Sequence, residues 1–180
     1  MITIPETIWA SMLAEFGKEK RQVEQVCYLD GVMVEDGGVV TTMTIPSAIL
    51  EPGRFHVVPE AMNQAGKHLR ALRLRRLAQV HTHPTEWTGH SQWDNEWAYS
   101  QLPGAISIVL PHFARTKPRL EQTGVHLRTS AGWRQLSPQE VLLHLRLVPG
   151  VLDFRRTYET ARIESARKRS WWSFFTFWKH

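Results

Sequence analysis

The sequence predicts an α/β fold: one domain over residues 1–150, a mixed β-sheet with helices packed against it, and a basic, aromatic C-terminal tail over 151–180. Three observations carry this. Apolar residues recur at helical spacing after Pro5 and after Pro59. Short runs rich in valine, leucine and isoleucine lie between these helical windows, two of them joined by Glu35-Asp36-Gly37-Gly38, a strong hairpin turn. Ser137-Pro138-Gln139-Glu140 is a capping box with proline at the first helical position.

In chain order, Ile2-Thr3-Ile4 reads as a short strand. Pro5 then opens an amphipathic helix carrying Ile8, Trp9, Met12, Leu13 and Phe16, which ends near Lys18. Val23 to Val34 and Val39 to Ile45 form the hairpin. Glu24 sits near the start of its first strand, on the face of Val26 and Tyr28 by period-two alternation. A carboxylate there fits either a solvated strand end or a functional group. Phe55 to Val58 reads as a short strand, and Pro59 starts a helix with Met62, Ala65, Leu69 and Leu72 on one face. Lys67, Arg70, Arg73, Arg75 and Arg76 make this region basic, as a solvated face or as a docking surface for an acidic partner.

Leu77 to Val80 is an apolar run leading into His81. Residues 82–90 form a loop, and a helix runs from Ser91 to about Tyr99. Ala105 to Leu110 suits a buried strand. Val125 to Arg128 and Trp133 to Leu136 form a hairpin about Ser130-Ala131-Gly132. The helix begun by the capping box is expected to carry Val141, Leu142, Leu145 and Leu147 to Pro149-Gly150. About six strands result. There is no internal repeat and no Rossmann or P-loop glycine pattern.

Composition bounds the function. Of 180 residues, 42% are hydrophobic and 22% charged, as in a soluble globular protein. No run approaches a membrane span, and no secretory leader is evident at Met1-Ile2-Thr3-Ile4. A lone cysteine, Cys27, allows no internal disulfide and fits a reducing cytoplasm. It is a poor nucleophile, since an apolar strand offers nothing to lower its pKa. The formal charge of +5 is concentrated in 151–180, where seven basic residues face three acidic ones. The domain itself is close to neutral, so nucleic acid is not an expected partner.

The chemistry concentrates in His81-Thr82-His83-Pro84, followed after six intervening residues by Ser91 and then by Asp94. Period two puts both histidines on one face of an extended segment, and Pro84 keeps His83 out of the helical region. Ser91 and Asp94, three apart on a helix, project from nearly the same side. Two nitrogens and one carboxylate oxygen with a fourth position open make a catalytic zinc set; a closed structural site would take four ligands, commonly cysteines. Ser91 and Asp94 also read as a helix capping box. The whole four-position pattern is expected by chance in well under ~1 in 1,000 chains of this length. His90 is a loop residue or a donor behind the ligands. Trp93 and Trp97, four apart on the helix, are expected in the core, and Trp87 in the loop as a substrate wall.

This pattern resembles the JAB/MPN+ (JAMM) zinc metallopeptidases, in the compact bacterial form, over residues 2–150. The family's signature is a glutamate on an early strand and then H-x-H-P-x6-S-x2-D. The early strand, often E-x-x-G-x-L-x-G in the family, reads here Glu24-Gln25-Val26-Cys27-Tyr28-Leu29-Asp30-Gly31. Leu29 and Gly31 match, and Cys27 replaces a glycine. The resemblance implies one zinc ion on His81, His83 and Asp94, Glu24 as general base, and Ser91 helping to stabilise an oxyanion. It implies an isopeptidase or peptidase acting after the C-terminus of a ubiquitin-like protein, on conjugates or on a precursor, with E1- and E2-like proteins as associated partners. The alternatives are a processing peptidase for a sulfur-carrier protein and a non-catalytic MPN-type scaffold. A zinc nucleotide deaminase is disfavoured, because its cysteine pair is absent.

The tail from Ser170 to His180 holds six aromatics after Arg167-Lys168-Arg169. Fold-back or homodimer packing, docking to a partner, and contact with an anionic membrane surface are the readings it supports.

Overall fold

The computed structural model describes residues 1–152. The expected tail from residue 153 onward lies outside the described residues. The domain is built from Met1–Gly150. In chain order the elements are β1 (Ile2–Pro5), α1 (Glu6–Phe16), β2 (Val26–Val34), β3 (Gly37–Thr44), β4 (Ala48–Glu51), β5 (Arg54–Val57), α2 (Pro59–Ala71), β6 (Arg75–Thr82), α3 (Gln92–Glu96), β7 (Ile106–Leu110), β8 (Gly124–Thr129), β9 (Gly132–Gln135), α4 (Pro138–His144) and β10 (Leu145–Val148). Eight strands make one sheet in the order β10-β1-β3-β2-β6-β7-β8-β9, and β4 pairs with β5 separately. β1 runs parallel to β10 and β3, and β6 parallel to β7, while the other neighbours are antiparallel. The expected α/β class with a mixed sheet and packed helices is thus what forms.

The sheet is covered on both faces, which is why its central strands read as continuous apolar runs. On one face α1 lays down Trp9, Met12, Leu13 and Phe16 against Cys27, Leu29, Val40, Val80, Ile108 and Leu110. Each such side chain contributes about 1.5–3 kcal/mol of burial free energy. On the other face Val26, Tyr28 and Phe55 pack with Leu50, Val57, Met62 and Tyr99. Gly31 sits where β2 shifts register, and a side chain there would collide with the Val39 carbonyl at 2.0 Å. Only glycine fits that approach.

Three expectations are corrected. Pro5 ends β1 and caps α1 rather than entering it. The helix after Ser137 stops at His144, and Leu145 and Leu147 belong to β10, paired with Ile2 and Ile4. β2 begins at Val26, so Glu24 lies in the extended segment before it. The β4 strand was not expected, and it determines where Glu24 sits.

Candidate metal centre

β6 lies between β2 and β7, and its C-terminal end carries His81, with His83 just beyond it. His81 pairs in register with Val26 and Val109. Beyond the strand the same extension continues. Thr82 N–H donates to the Gln25 carbonyl at 3.0 Å, and His83 N–H to the Leu110 carbonyl at 2.8 Å. The backbone is therefore held on both sides, and alternation turns both imidazoles to one face, away from Thr82. Phe55 backs His81 with ring centroids 5.3 Å apart.

Asp94 comes from α3. Ser91 is the N-cap, and its hydroxyl accepts from Asp94 N–H at 3.1 Å. Ser91 N–H and Oγ–H both donate to Asp94 Oδ2 at 2.7 Å. This reciprocal capping box fixes the carboxylate and satisfies Oδ2 twice, leaving Oδ1 turned towards His81 Nε2 at 3.3 Å. His83 Nε2 lies 3.2 Å from His81 Nε2 and 3.4 Å from Asp94 Oδ2. His81, His83 and Asp94 are all buried, and their ligand atoms fall within 4.8 Å of one another.

These residues fit a zinc ion. Ligands about 2.0–2.1 Å from a tetrahedral centre stand about 3.3 Å from each other, the separation found here. The donors are of the right type, and the tautomer of His83 is right as well. His83 Nδ1–H donates to the Trp87 carbonyl at 3.1 Å, which leaves the Nε2 lone pair free towards the site. His81 Nδ1 is buried and has no partner among the described residues.

The electrostatics suit a cation. Burial alone would raise the Asp94 carboxyl, but its close approach to His81 and His83 and the hydrogen bond from Ser91 outweigh it and hold the group well below the usual range. Burial lowers His81 and is only partly opposed by Asp94. Burial also acts to lower His83, yet Asp94, Glu24 and the Trp87 carbonyl together raise it. One buried carboxylate thus faces two imidazoles, a donor set that suits a divalent ion.

Glu24 is buried, and its N–H donates to the Glu51 carbonyl at 2.8 Å. Burial pushes its carboxyl up to about 7, with His83 opposing and Asp94 adding to the rise. The structure therefore places Glu24 within the field of two expected ligands, held by β4 rather than by its own strand.

Trp87 stacks on His83 with centroids 5.1 Å apart and planes at 23°, and it is 53% exposed. One face of the indole covers a candidate ligand. A Cβ on Gly89 would meet this ring at 2.7 Å. Trp93 and Trp97 do not enter the core as expected. α3 ends at Glu96, and the two indoles stack on each other 5.1 Å apart, with Trp97 53% exposed. Trp93 Nε1–H instead ties α3 to β5 through the Phe55 carbonyl at 3.1 Å. Cys27 is fully buried, and burial pushes its thiol far up, which excludes it as a nucleophile.

His126 was not singled out in the sequence. It is buried on β8, and its ring stacks on His90 at 3.8 Å and 16°. Its register with Ser107 on β7 places it beside the site, a non-local pairing that carries no local signal. Among the described residues no helix is long and apolar enough to cross a membrane.

No family model matches the chain, and no curated protein matches it. Solved structures do. Protein DSY2949 of Desulfitobacterium hafniense is 20% identical, with 84% of this chain and 95% of that one covered and a TM-score of 0.64. A protein from Salinibacter ruber is 16% identical over 76% of this chain and 89% of its own, with a TM-score of 0.50. AF2198, a JAB1/MPN domain protein from Archaeoglobus fulgidus, is 11% identical, covers 82% and 97%, and has a TM-score of 0.47, too loose to argue from. The first two likenesses establish a shared fold.

Proposed function

We propose that the chain is a zinc-dependent hydrolase of the JAMM type, cleaving after the C-terminus of a ubiquitin-like protein, from a conjugate or a precursor. One observation carries the reading. Two imidazole Nε2 atoms and a carboxylate converge at 3.2–3.4 Å in a buried site, with a second buried carboxyl, Glu24, within electrostatic reach of His83 and Asp94. The match of this set to H-x-H-P-x6-S-x2-D supports the family; the substrate class follows from the family resemblance.

Zinc bound there would acidify a coordinated water and polarise the scissile carbonyl. The chain's own residues do the rest. His81, His83 and Asp94 hold the ion, and Ser91 orients the Asp94 carboxylate. Glu24 accepts a proton at its carboxylate and returns one to the leaving amine, which a group near neutral pKa can do in both directions. The Ser91 hydroxyl, bonded to Asp94 Oδ2 at 2.7 Å, serves an oxyanion only after turning away from it. Trp87 walls the approach and excludes water from His83.

The test is mass spectrometry of a ubiquitin-like fusion and of an isopeptide conjugate, each incubated with wild type and with Glu24→Gln. Wild type is expected to release the ubiquitin-like protein, and Glu24→Gln to lose cleavage while retaining zinc. Equal cleavage by Glu24→Gln removes the base assignment. No cleavage of either substrate, with zinc bound, removes the substrate class.

A further inference from the structure

α3 is five residues long, too short to be stable alone, yet it must hold Asp94 steady. Its capping box fixes Asp94 to Ser91 but fixes neither to the sheet. The connection to the sheet on this side comes from His90, the residue before the cap. His90 Nδ1 lies 3.0 Å from Asn95 Oδ1, and His90 Nε2 lies 3.0 Å from Ser107 Oγ. An amide oxygen only accepts, so Nδ1–H donates to Asn95. Nε2 then accepts from the Ser107 hydroxyl. One neutral imidazole thus joins α3 to β7.

Its plane is set from below. The His126 ring lies parallel at 3.8 Å, and Trp133 meets His90 edge-on at 5.1 Å. Asn95 is held in addition by its own N–H to the Ser91 carbonyl at 3.2 Å, and its carbonyl accepts from Gln101 Nε2 at 2.7 Å. Ser107 is fully buried, so the sheet end of the clasp is rigid.

We infer that His90 is a positioning residue: it bridges Ser107 on β7 and Asn95 on α3, and so holds the Asp94 carboxylate at the two histidines. His126 is the flat support that keeps its two nitrogens aimed. The inference rests on the metal reading of the site, but the bridge itself is made by protein atoms alone.

The experiment uses the full chain as wild type, His90→Phe and Ser107→Ala. Phenylalanine retains the stack on His126 and the volume but neither hydrogen bond; alanine at 107 removes one end. In zinc-free protein, hydrogen exchange at the Asn95 and Trp97 amides, bonded to the Ser91 and Trp93 carbonyls, is expected to speed about tenfold or more in both variants. Cobalt(II) affinity is expected to fall about 10–100-fold, with a changed visible d–d band. Wild-type exchange at these amides in either folded variant overturns the bridge. Faster exchange with unchanged cobalt affinity and spectrum overturns its service to Asp94. If wild type binds neither zinc nor cobalt, the metal reading fails by itself, and the bridge stands or falls on exchange alone.

Discussion

His83 Nδ1–H donates to the Trp87 carbonyl across 3.1 Å, and the Trp87 indole lies over the same ring. The loop that leaves the histidine strand thus turns back to select the tautomer of the second histidine. A local sequence of seven residues, His83 to Gly89, supplies the candidate ligand, the acceptor that sets its protonation and the cover above it.

Ser91→Ala is expected to act on two properties together. Loss of the N-cap destabilises the fold by about 1 kcal/mol. Loss of both the cap and the Oγ–H bond to Asp94 Oδ2 is expected to weaken zinc about 10-fold. Denaturant unfolding and zinc titration against a chromophoric chelator check these separately.

Gly124→Ala places a Cβ 2.0 Å from the Thr88 carbonyl, a backbone atom that cannot swing aside. The expected loss is about 1–3 kcal/mol in urea unfolding. Because the displaced loop carries Trp87, zinc affinity should fall as well. The same substitution at Gly53, where nothing lies within 4 Å, should change neither.

His90 and His126 set a pH limit. Burial is the first cause in both, lowering His126 to about 3 and His90 to about 4. The unfolded chain binds these protons near pH 6.5, so the unfolded state holds more protons between pH 6.5 and 3. Their contribution to stability is complete above about 6.5 and is lost as pH falls towards 3, by on the order of a few kcal/mol. Thermal melts from pH 7 to 4 should show this decline, and His126→Leu should flatten it. An unchanged slope in the variant would contradict the assignment.

Local signals in the sequence accounted for the helices at Pro59 and Ser137, the hairpin at Glu35–Gly38 and the grouping of His81, His83 and Asp94. His81 and His83 are joined by strand period, and Ser91 and Asp94 by a capping box, so neither relation needs the rest of the chain. What stayed hidden is non-local. Leu145 and Leu147 continue an apolar series after Leu142, but Leu142 is 66% exposed and Leu145 fully buried. Their partner is β1, at the other end of the domain, so helical spacing misleads there. Glu24 was legible as a residue and not as a position, because Glu51 holds it from a four-residue strand with no clear alternation. His126 enters only through the β7–β8 register. Trp97 lies at the surface because α3 ends one residue before it.

The most direct measurement of the central claim is zinc stoichiometry by native mass spectrometry, for wild type, His83→Ala and Asp94→Asn. Asparagine at 94 retains an oxygen for the Ser91 cap but loses the charge that faces the two imidazoles. One zinc per wild-type chain, lost or weakened at least tenfold in both variants with the fold intact, is the expected result. A folded wild type that takes up no zinc, or variants that hold it as tightly as wild type, would contradict it.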